Sequence, residues 1–537
     1  MDRQRLAPFK IPNLWRERNP RARLLPVIAL ALHPRDIGTL LIGYSEGAVI
    51  FSFKQDKPLN FFQYELQPGA PGGQSDPSST NGVRRPKLVQ AVWHPTGTFF
   101  LTGHDDSSMV FWDPKSGKAI LARTLQDSHV DEIGSVSGAF GSTPGTFSLK
   151  APLFRIAWCS QQNPEDTGIL IAGGEPTNLP VRGLTFIDLG PTPVYATSSW
   201  QILSDHFEKP KKQQTLSTPP AAEVVDFCLV PRTSPHYAGS HDPIAVIALL
   251  ASGEIFTLSF PTGHPITPTN QLHASLTFVH PFTNAIALAC VERTRWLGMT
   301  EKRSHGPSLL KGGAEARYPL KRYESRNILQ TAHADGTIRI WDAGHGDEIE
   351  NKDMLQVDVA RALERLENID VVRMSMSGAT GELGVGLRNG EVVVFRWGHN
   401  QNNNRELPHA QLQAFGLESI KDRADPSLKE GLLPLTLLDR PYGPVTAIKM
   451  SDIGFLAAGF ENGIVIVVDL RGPAVIFEAN LHDFARPSKH SSLRVGSSGQ
   501  TQAKPEWSTV IEFGVMSLEG ESELTELTIR YRSTDTP

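Results

Sequence analysis

The side chains of this chain that could do chemistry are thinly spread, and their spacing limits what they can do. Its 17 histidines are scattered, and no two stand at metal-ligand spacing beside a carboxylate. Cys159, Cys228 and Cys290 lie far apart with no C-x-x-C pairing, each in or beside an apolar stretch where a buried, reduced thiol is expected. That sparse, odd count favours the cytosol over a disulfide-stapled secreted fold. Lys311-Gly312-Gly313 lacks the preceding strand and following helix that make a glycine-rich loop a phosphate cradle. No P-loop, G-x-S-x-G or H-E-x-x-H pattern is present. Asp105-Asp106 falls in a turn-forming stretch, where carboxylates serve turn geometry, and His104 and His333 stand beside similar turns as hydrogen-bonding groups. These residues predict no catalytic group, no cofactor and no metal, hence a protein that is not an enzyme.

Two charged segments suggest contacts rather than reactions. Glu292–Arg326 carries Arg293, Arg295, Lys302, Arg303, Lys311, Arg317, Lys321, Arg322 and Arg326 against four glutamates, a basic island in a chain of net charge −5. The ordinary reading is a solvated loop; the functional one is an electrostatic contact for anionic lipid or an acidic partner. In Arg486–Lys504, Ser491, Ser492, Ser497 and Ser498 sit among Arg486, Lys489, Arg494 and Lys504, a candidate phosphorylation loop in which added charge would alter docking. The acidic balance gives nucleic acid no bulk attraction.

The elements that must carry these residues show themselves as a repeat. A small residue, a turn with Gly or Asp, and an apolar run recur in GYSEGAVIFSF at Gly43, GHDDSSMVFWD at Gly103, ASGEIFTLSF at Ala251, AHADGTIRIWD at Ala332, GLRNGEVVVFRW at Gly386 and GFENGIVIVVD at Gly459. A weaker copy, GGEPTNLPVRGLTFIDL, starts at Gly173. Upstream of most copies lies a second short strand: PVIALALHP, LVQAVWHP, FRIAWC, VVDFCLVP, VVRMSM and VTAIKMS. In Glu461-Asn462-Gly463 the glycine supplies the positive φ of a tight hairpin, and Ile464–Val468 is a β-branched run suited to a strand buried on both faces. The starts lie 54 to 81 residues apart, longer than the ~40–45 of a plain WD40 repeat, so each unit carries an insertion. One such sheet cannot bury both faces alone; radial packing of blades solves this, and the amphipathic helices of a parallel α/β sheet are largely missing. The predicted fold is all-β, about seven WD40-like β-propeller blades, with one helical stretch at 355–368. Gln67–Lys87 and His399–Asn404 read as solvated loops.

At 537 residues, with 39% hydrophobic and 20% charged side chains, the composition is that of a globular protein with several core units. Met1–Arg23 is basic, contains Pro12 and Pro20, and has no apolar core before Leu24, which does not fit a signal peptide. Apolar runs such as Leu24–Leu32 and Ile244–Leu250 fall well short of the ~20 residues that span a bilayer, so a membrane contact would be peripheral.

Longer ordered blocks add a resemblance. HPRDIGTLLIGYSEG, YELQPGAPGG, QAVWHPTGTFFLTGHDDSSMVFWDPKSGK, WLGM with LLKGG, HADGTIRIWDAGHGD and VVDLRGPAVIFEANLHD resemble the lethal giant larvae (Lgl)/tomosyn family, in particular its fungal branch of exocytosis regulators, over most of residues 7–516. The resemblance implies two seven-bladed propellers in a protein about twice this length. It implies binding to a SNAP-25-type t-SNARE and a secretory Rab GTPase, with the exocyst and myosin as further partners, at plasma-membrane sites of polarised secretion reached from the cytoplasm. Set on that pattern, 1–23 is an N-terminal polar segment and 24–290 are blades of the latter part of a first propeller. Residues 291–326 are a basic inter-blade loop, 327–516 the start of a second propeller, and 517–537 a polar tail. The chain is then expected to open partway through the first propeller and to stop just after a new blade strand, without the family's tail, and the animal proteins' long basic serine loop is reduced to Arg486–Lys504. Two other readings compete: a Rab-directed GTPase activator, for which no arginine stands in a catalytic-finger context, and a generic WD40 adaptor of another complex, such as ubiquitin transfer.

Overall fold

A computed structural model describes residues 27–36, 38–73, 82–133, 150–177, 182–219, 223–232, 241–266, 282–300, 325–343, 354–400 and 416–480, and the backbone of 506–516 and 524–534. The chain divides into two compact units, Ile28–Gln356 and Val357–Pro537 together with Met1–Val27. Among the described residues there are seven sheets of propeller-blade type, each built of successive antiparallel strands.

Among the described residues, blades 1 to 4 and the first three strands of blade 5 fall in the first unit, apart from Val27. Blade 1 is Val27–Leu32, Thr39–Tyr44, Gly47–Ser52 and Lys57–Phe62; blade 2 is Leu88–Trp93, Phe100–His104, Met109–Trp112 and Ala119–Arg123. Blade 3 is Leu153–Ser160, Asp166–Gly173, Gly183–Pro191 and Lys212–Ser217, with a helix, Trp200–Glu208, between its third and fourth strands. Blade 4 shows three strands among the described residues, Val224–Pro231, Pro243–Leu250 and Ile255–Ser259. Blade 5 is Thr283–Glu292, Ser325–His333, Thr337–Asp342 and Leu355–Asp358. In the second unit, blade 6 is Val371–Met376, Leu383–Leu387, Val392–His399 and Glu430–Leu438, with the short strand Leu417–Ser419 added outside the last. Blade 7 is Val445–Met450, Phe455–Phe460, Ile464–Asp469 and Ala474–Asn480, and a long hairpin, Glu506–Met516 with Leu524–Thr534, follows it.

The repeat read from the sequence is the hairpin of second and third strands, and burial explains why it was visible. Phe100–His104, Met109–Trp112 and Leu383–Leu387 are buried at every position, so their residues are apolar, small or, as at Thr102 and His104, hydrogen-bonded. The turn residue has positive φ at Gly390 (97°) and Gly463 (77°), where a β-carbon would be strained. Ser107 adopts the same hand (66°) in blade 2, where the carboxylate of Asp106 accepts the Ser108 N–H at 3.0 Å. Adjacent blades then close over shared cores: Leu41, Ile50 and Phe62 of blade 1 pack with Trp93, Phe100 and Trp112 of blade 2. Blades 6 and 7 do the same through Val392, Val394 and Leu438 against Ile448, Leu456 and Ile466. Polar side chains fix the spacing; Gln90 of blade 2 donates to the Phe154 carbonyl and accepts the Ile156 N–H at 2.6 Å, a two-way link to blade 3.

Four expectations differ from the structure. The helix at 355–368 is a strand followed by one helical turn, Val359–Ala362: Leu355 and Val357 are buried while Gln356 and Asp358 are exposed, the period-2 pattern of a closing blade strand. The basic segment 291–326 is not an inter-blade loop, because Thr283–Glu292 and Ser325–His333 pair with each other and place the insertion inside blade 5. Gln67–Lys87, of which 74–81 lie outside the described residues, is solvated only in part: Gln67–Gly69, Val83, Arg85 and Lys87 are exposed, but Ala70 is fully buried and Leu66 and Arg84 exchange backbone hydrogen bonds (2.9 and 3.0 Å). Residues 517–537 are not all tail, since Leu524–Thr534 pairs along its whole length with Glu506–Met516.

Candidate functional site

The groups with chemical potential are mostly built into the blades. His104 is buried, sharing a hydrogen bond with Thr102 Oγ1 (2.9 Å) and another with the Pro86 carbonyl (3.1 Å), while Trp112 Nε1 donates to the same Thr102 hydroxyl (2.8 Å). His333 pairs with Thr331 Oγ1 (2.7 Å) in the same way in blade 5. Both histidines thus bond a threonine two residues back on their own strand, and both are buried in the blades. Asp105 accepts the Lys87 N–H (2.8 Å) and Asp106 the Gly73 N–H (2.9 Å), so that pair holds loops together. Burial pushes the thiols of Cys159 and Cys228 up to about 12; Cys290, expected to be buried, is exposed. Among the described residues no three His, Cys, Asp or Glu side chains come together as metal ligands.

The basic island does not survive as a unit. Arg326 is fully buried, and its guanidinium bonds Asp342 Oδ2 from Nη2 (2.8 Å) and Nε (3.0 Å). It is a core ion pair rather than a surface cation, because its strand, Ser325–His333, is paired on both sides within blade 5. Arg293 and Arg295 stand on the short helix Arg293–Thr300, held down by buried Trp296 and Met299. Lys302, Arg303, Lys311, Arg317, Lys321 and Arg322 lie outside the described residues, as do Ser491, Ser492, Ser497 and Ser498.

A surface cleft lies where the repeat is weakest. Blade 3 replaces the tight second turn with the longer connection 174–182, and Glu175, Pro176, Thr177 and Arg182 there line a shallow cleft with Phe154 and, from the start of blade 4, Glu223 and Val224. Arg182 forms an ion pair with Glu223 at the mouth. Burial raises the pKa of Glu175, partly offset by the hydrogen bond from Thr185 Oγ1 (2.5 Å) and by Arg182. Among the described residues its apolar walls carry one cation, Arg182, and two carboxylates, Glu175 and Glu223.

A second surface feature was missed by the sequence reading. The helix Trp200–Glu208 is capped by Ser199, whose Oγ accepts the Ile202 N–H (3.3 Å), and it buries Leu203 and Phe207 against blades 2 and 3. Phe207 stacks on Phe111 at 4.3 Å between centroids. Arg123, buried on the outer strand of blade 2, donates to the helix-terminal carbonyls of Phe207 (2.9 Å) and Glu208 (3.4 Å), satisfying groups that a helix end leaves open. Trp200, Ile202 and nearby Val194 face solvent. The legible signal was Ser199 followed by apolar residues four apart.

Comparison with known proteins gives two family matches: residues 368–524 match the lethal giant larvae (Lgl)-like C-terminal family, and residues 84–113 match the WD domain, G-beta repeat. The chain is 36% identical over 90% of its length to the lethal(2) giant larvae protein homolog SRO77 of Saccharomyces cerevisiae, covering 48% of that protein. It is 26% identical over 98% of its length to an uncharacterized Schizosaccharomyces pombe protein, covering 51% of it. It is 27% identical over 59% of its length to the mouse LLGL scribble cell polarity complex component 2, covering 26% of that protein. The chain thus spans about half the length of the two fungal relatives.

Proposed function

The chain belongs to the lethal giant larvae family, and from that premise we propose that it is a non-enzymatic propeller scaffold of polarised exocytosis. In this reading it binds a SNAP-25-type t-SNARE and a secretory Rab GTPase, with the exocyst and myosin as further partners, and so controls vesicle docking and fusion. It acts from the cytoplasm, peripherally, at plasma-membrane sites of polarised secretion. The observation that carries the reading is the 36% identity to the yeast homolog, sustained over 90% of the chain. The blades support it physically, because a standard interface needs ~800 Å² per partner, which a blade rim supplies without an enclosed pocket.

The test is size-exclusion chromatography with light scattering of the purified chain, with and without a SNAP-25-type t-SNARE. Co-elution as a stoichiometric complex is expected; a monodisperse chain that never co-elutes refutes t-SNARE binding by these residues. GTP hydrolysis by a secretory Rab is measured beside it. An unchanged rate is expected of a scaffold, and acceleration would make the chain a GTPase activator instead.

A further inference from the structure

One loop of the second unit is built to present a single apolar side chain. The helical turn Val359–Ala362 ends in a pattern in which the Glu364 N–H bonds the Arg361 carbonyl (3.0 Å) and the Arg365 N–H the Ala360 carbonyl (3.1 Å). That double bond pattern places the first residue beyond the cap in the left-handed region, normally a glycine. Here it is Glu364, with φ +53°, and Asn368 four residues on has φ +58°. A side chain adopts this conformation at a cost, and such departures persist only where surrounding contacts enforce them.

Those contacts are present. Arg365 reaches Glu391, at the turn of blade 6, through both ends of its guanidinium, one at 2.7 Å, and it also donates to the Asn368 carbonyl (3.2 Å). Arg423 donates to the Ala362 carbonyl (3.3 Å) and pairs with Glu364 (3.7 Å). The loop is held from both sides, and what it holds outward is Leu366, which is 91% exposed. Had the helix continued, Leu366 would lie on the face of buried Leu363, three residues before it. Exposed Glu364 and Glu367 flank it.

A lone exposed leucine is ordinary. A leucine displayed between two left-handed residues, on a loop clamped by two arginines, is not explained by packing. We propose that the loop 363–369 is a preformed docking element whose Leu366 enters a hole in the apolar stripe of an amphipathic partner helix, with Lys or Arg beside that stripe pairing with Glu364 and Glu367. A single knob between acidic neighbours fits a helix surface of that composition, and prior ordering of the loop removes the entropy that binding would otherwise cost. This rests on the t-SNARE reading, since a SNARE helix is the amphipathic helix that reading supplies.

The experiment measures binding of a SNAP-25-type t-SNARE to the full chain and to its Leu366→Ala, Leu366→Met and Glu367→Gln variants, by fluorescence anisotropy at two salt concentrations. Leu366→Ala is expected to weaken binding about tenfold or more, as loss of a central anchor does, Leu366→Met to retain most of it, and Glu367→Gln to lessen the salt dependence. Hydrogen exchange of the blade 6 strands should not change, because Leu366 is solvent-exposed. Wild-type binding that Leu366→Ala leaves intact overturns the docking element while the scaffold reading stands. Failure of the wild-type chain to bind removes both.

Discussion

The buried pair Arg326–Asp342 gives the sharpest test of how blade 5 is held. Both side chains are at 0% exposure, and both guanidinium bonds, 2.8 and 3.0 Å, end on the same carboxylate oxygen. Asp342→Ala leaves a guanidinium in the core that cannot shed its charge, and breaking a buried pair in this way costs about 3–5 kcal/mol. Arg326→Met removes the guanidinium from that buried carboxylate and should cost a similar amount. The double variant Arg326→Met/Asp342→Leu removes both charges and should lie within about 1–2 kcal/mol of the wild type, far from the sum of the two single effects. Because the chain has two units, a single melting curve is a poor readout. Hydrogen exchange of peptides covering 325–342 serves instead, with the blade 7 strands 455–469 as internal reference. A loss below about 1 kcal/mol for Asp342→Ala, or additive single effects in the double variant, would refute the view that a desolvated charge pair braces this blade.

Three further outcomes follow from the same structure. His94 is fully buried between Thr96 and Thr192, and burial lowers its pKa to about 3; unfolded it titrates near 6.5, so between those values only the unfolded state takes up the proton. Stability is therefore lost as pH falls from about 6.5 toward 3, by up to about 1.4 kcal/mol per pH unit, and His94→Gln should flatten that slope in denaturant titrations. Arg123→Ala strands the carbonyls of Phe207 and Glu208 and should cost about 1–3 kcal/mol, with faster proteolysis within 192–211 as the specific sign. In the native chain a thiol reagent should modify exposed Cys290 first, with buried Cys159 reacting only on unfolding; equal rates for the two would contradict the packing of blade 3.

What could be read in advance tracks burial. Strands such as Leu383–Leu387 and Ile464–Asp469 are constrained on both faces, so their residue types announce them. Outer strands such as Lys212–Ser217 bury one residue, Leu216, and the polar run KQQTLS looks like any loop. The stretch 355–368 misled because its leucines suit a helix, while the alternation in Leu355–Asp358 and the left-handed turn at Glu364 depend on tertiary packing. Arg326 was misread for a related reason. Charge counted along the chain says nothing of depth, and its partner Asp342 is 16 residues away, reached only once the hairpin is folded. Phe207 shows the reverse: its burial needs blade 2 to supply Phe111 and Arg123.

The insertions fall where the fold tolerates added length. The hairpins of second and third strands are short in blades 1, 2, 4, 5, 6 and 7, because both strands are core and added length there would disturb register on two buried faces. Blade 3 alone lengthens that turn, and there the Glu175–Arg182–Glu223 cleft forms. Other long connections fall where an outer strand can be displaced without opening the core, as at the helix Trp200–Glu208 and at 400–429, or within blade 5 between its first two strands. Leu366 belongs to this class, standing on the connection into blade 6, clear of every core. Such segments can vary at little cost to the fold, so substitutions at Leu366, Trp200 or Arg182 should spare stability, while those at Phe111, Trp112 or Asp342 should lower it.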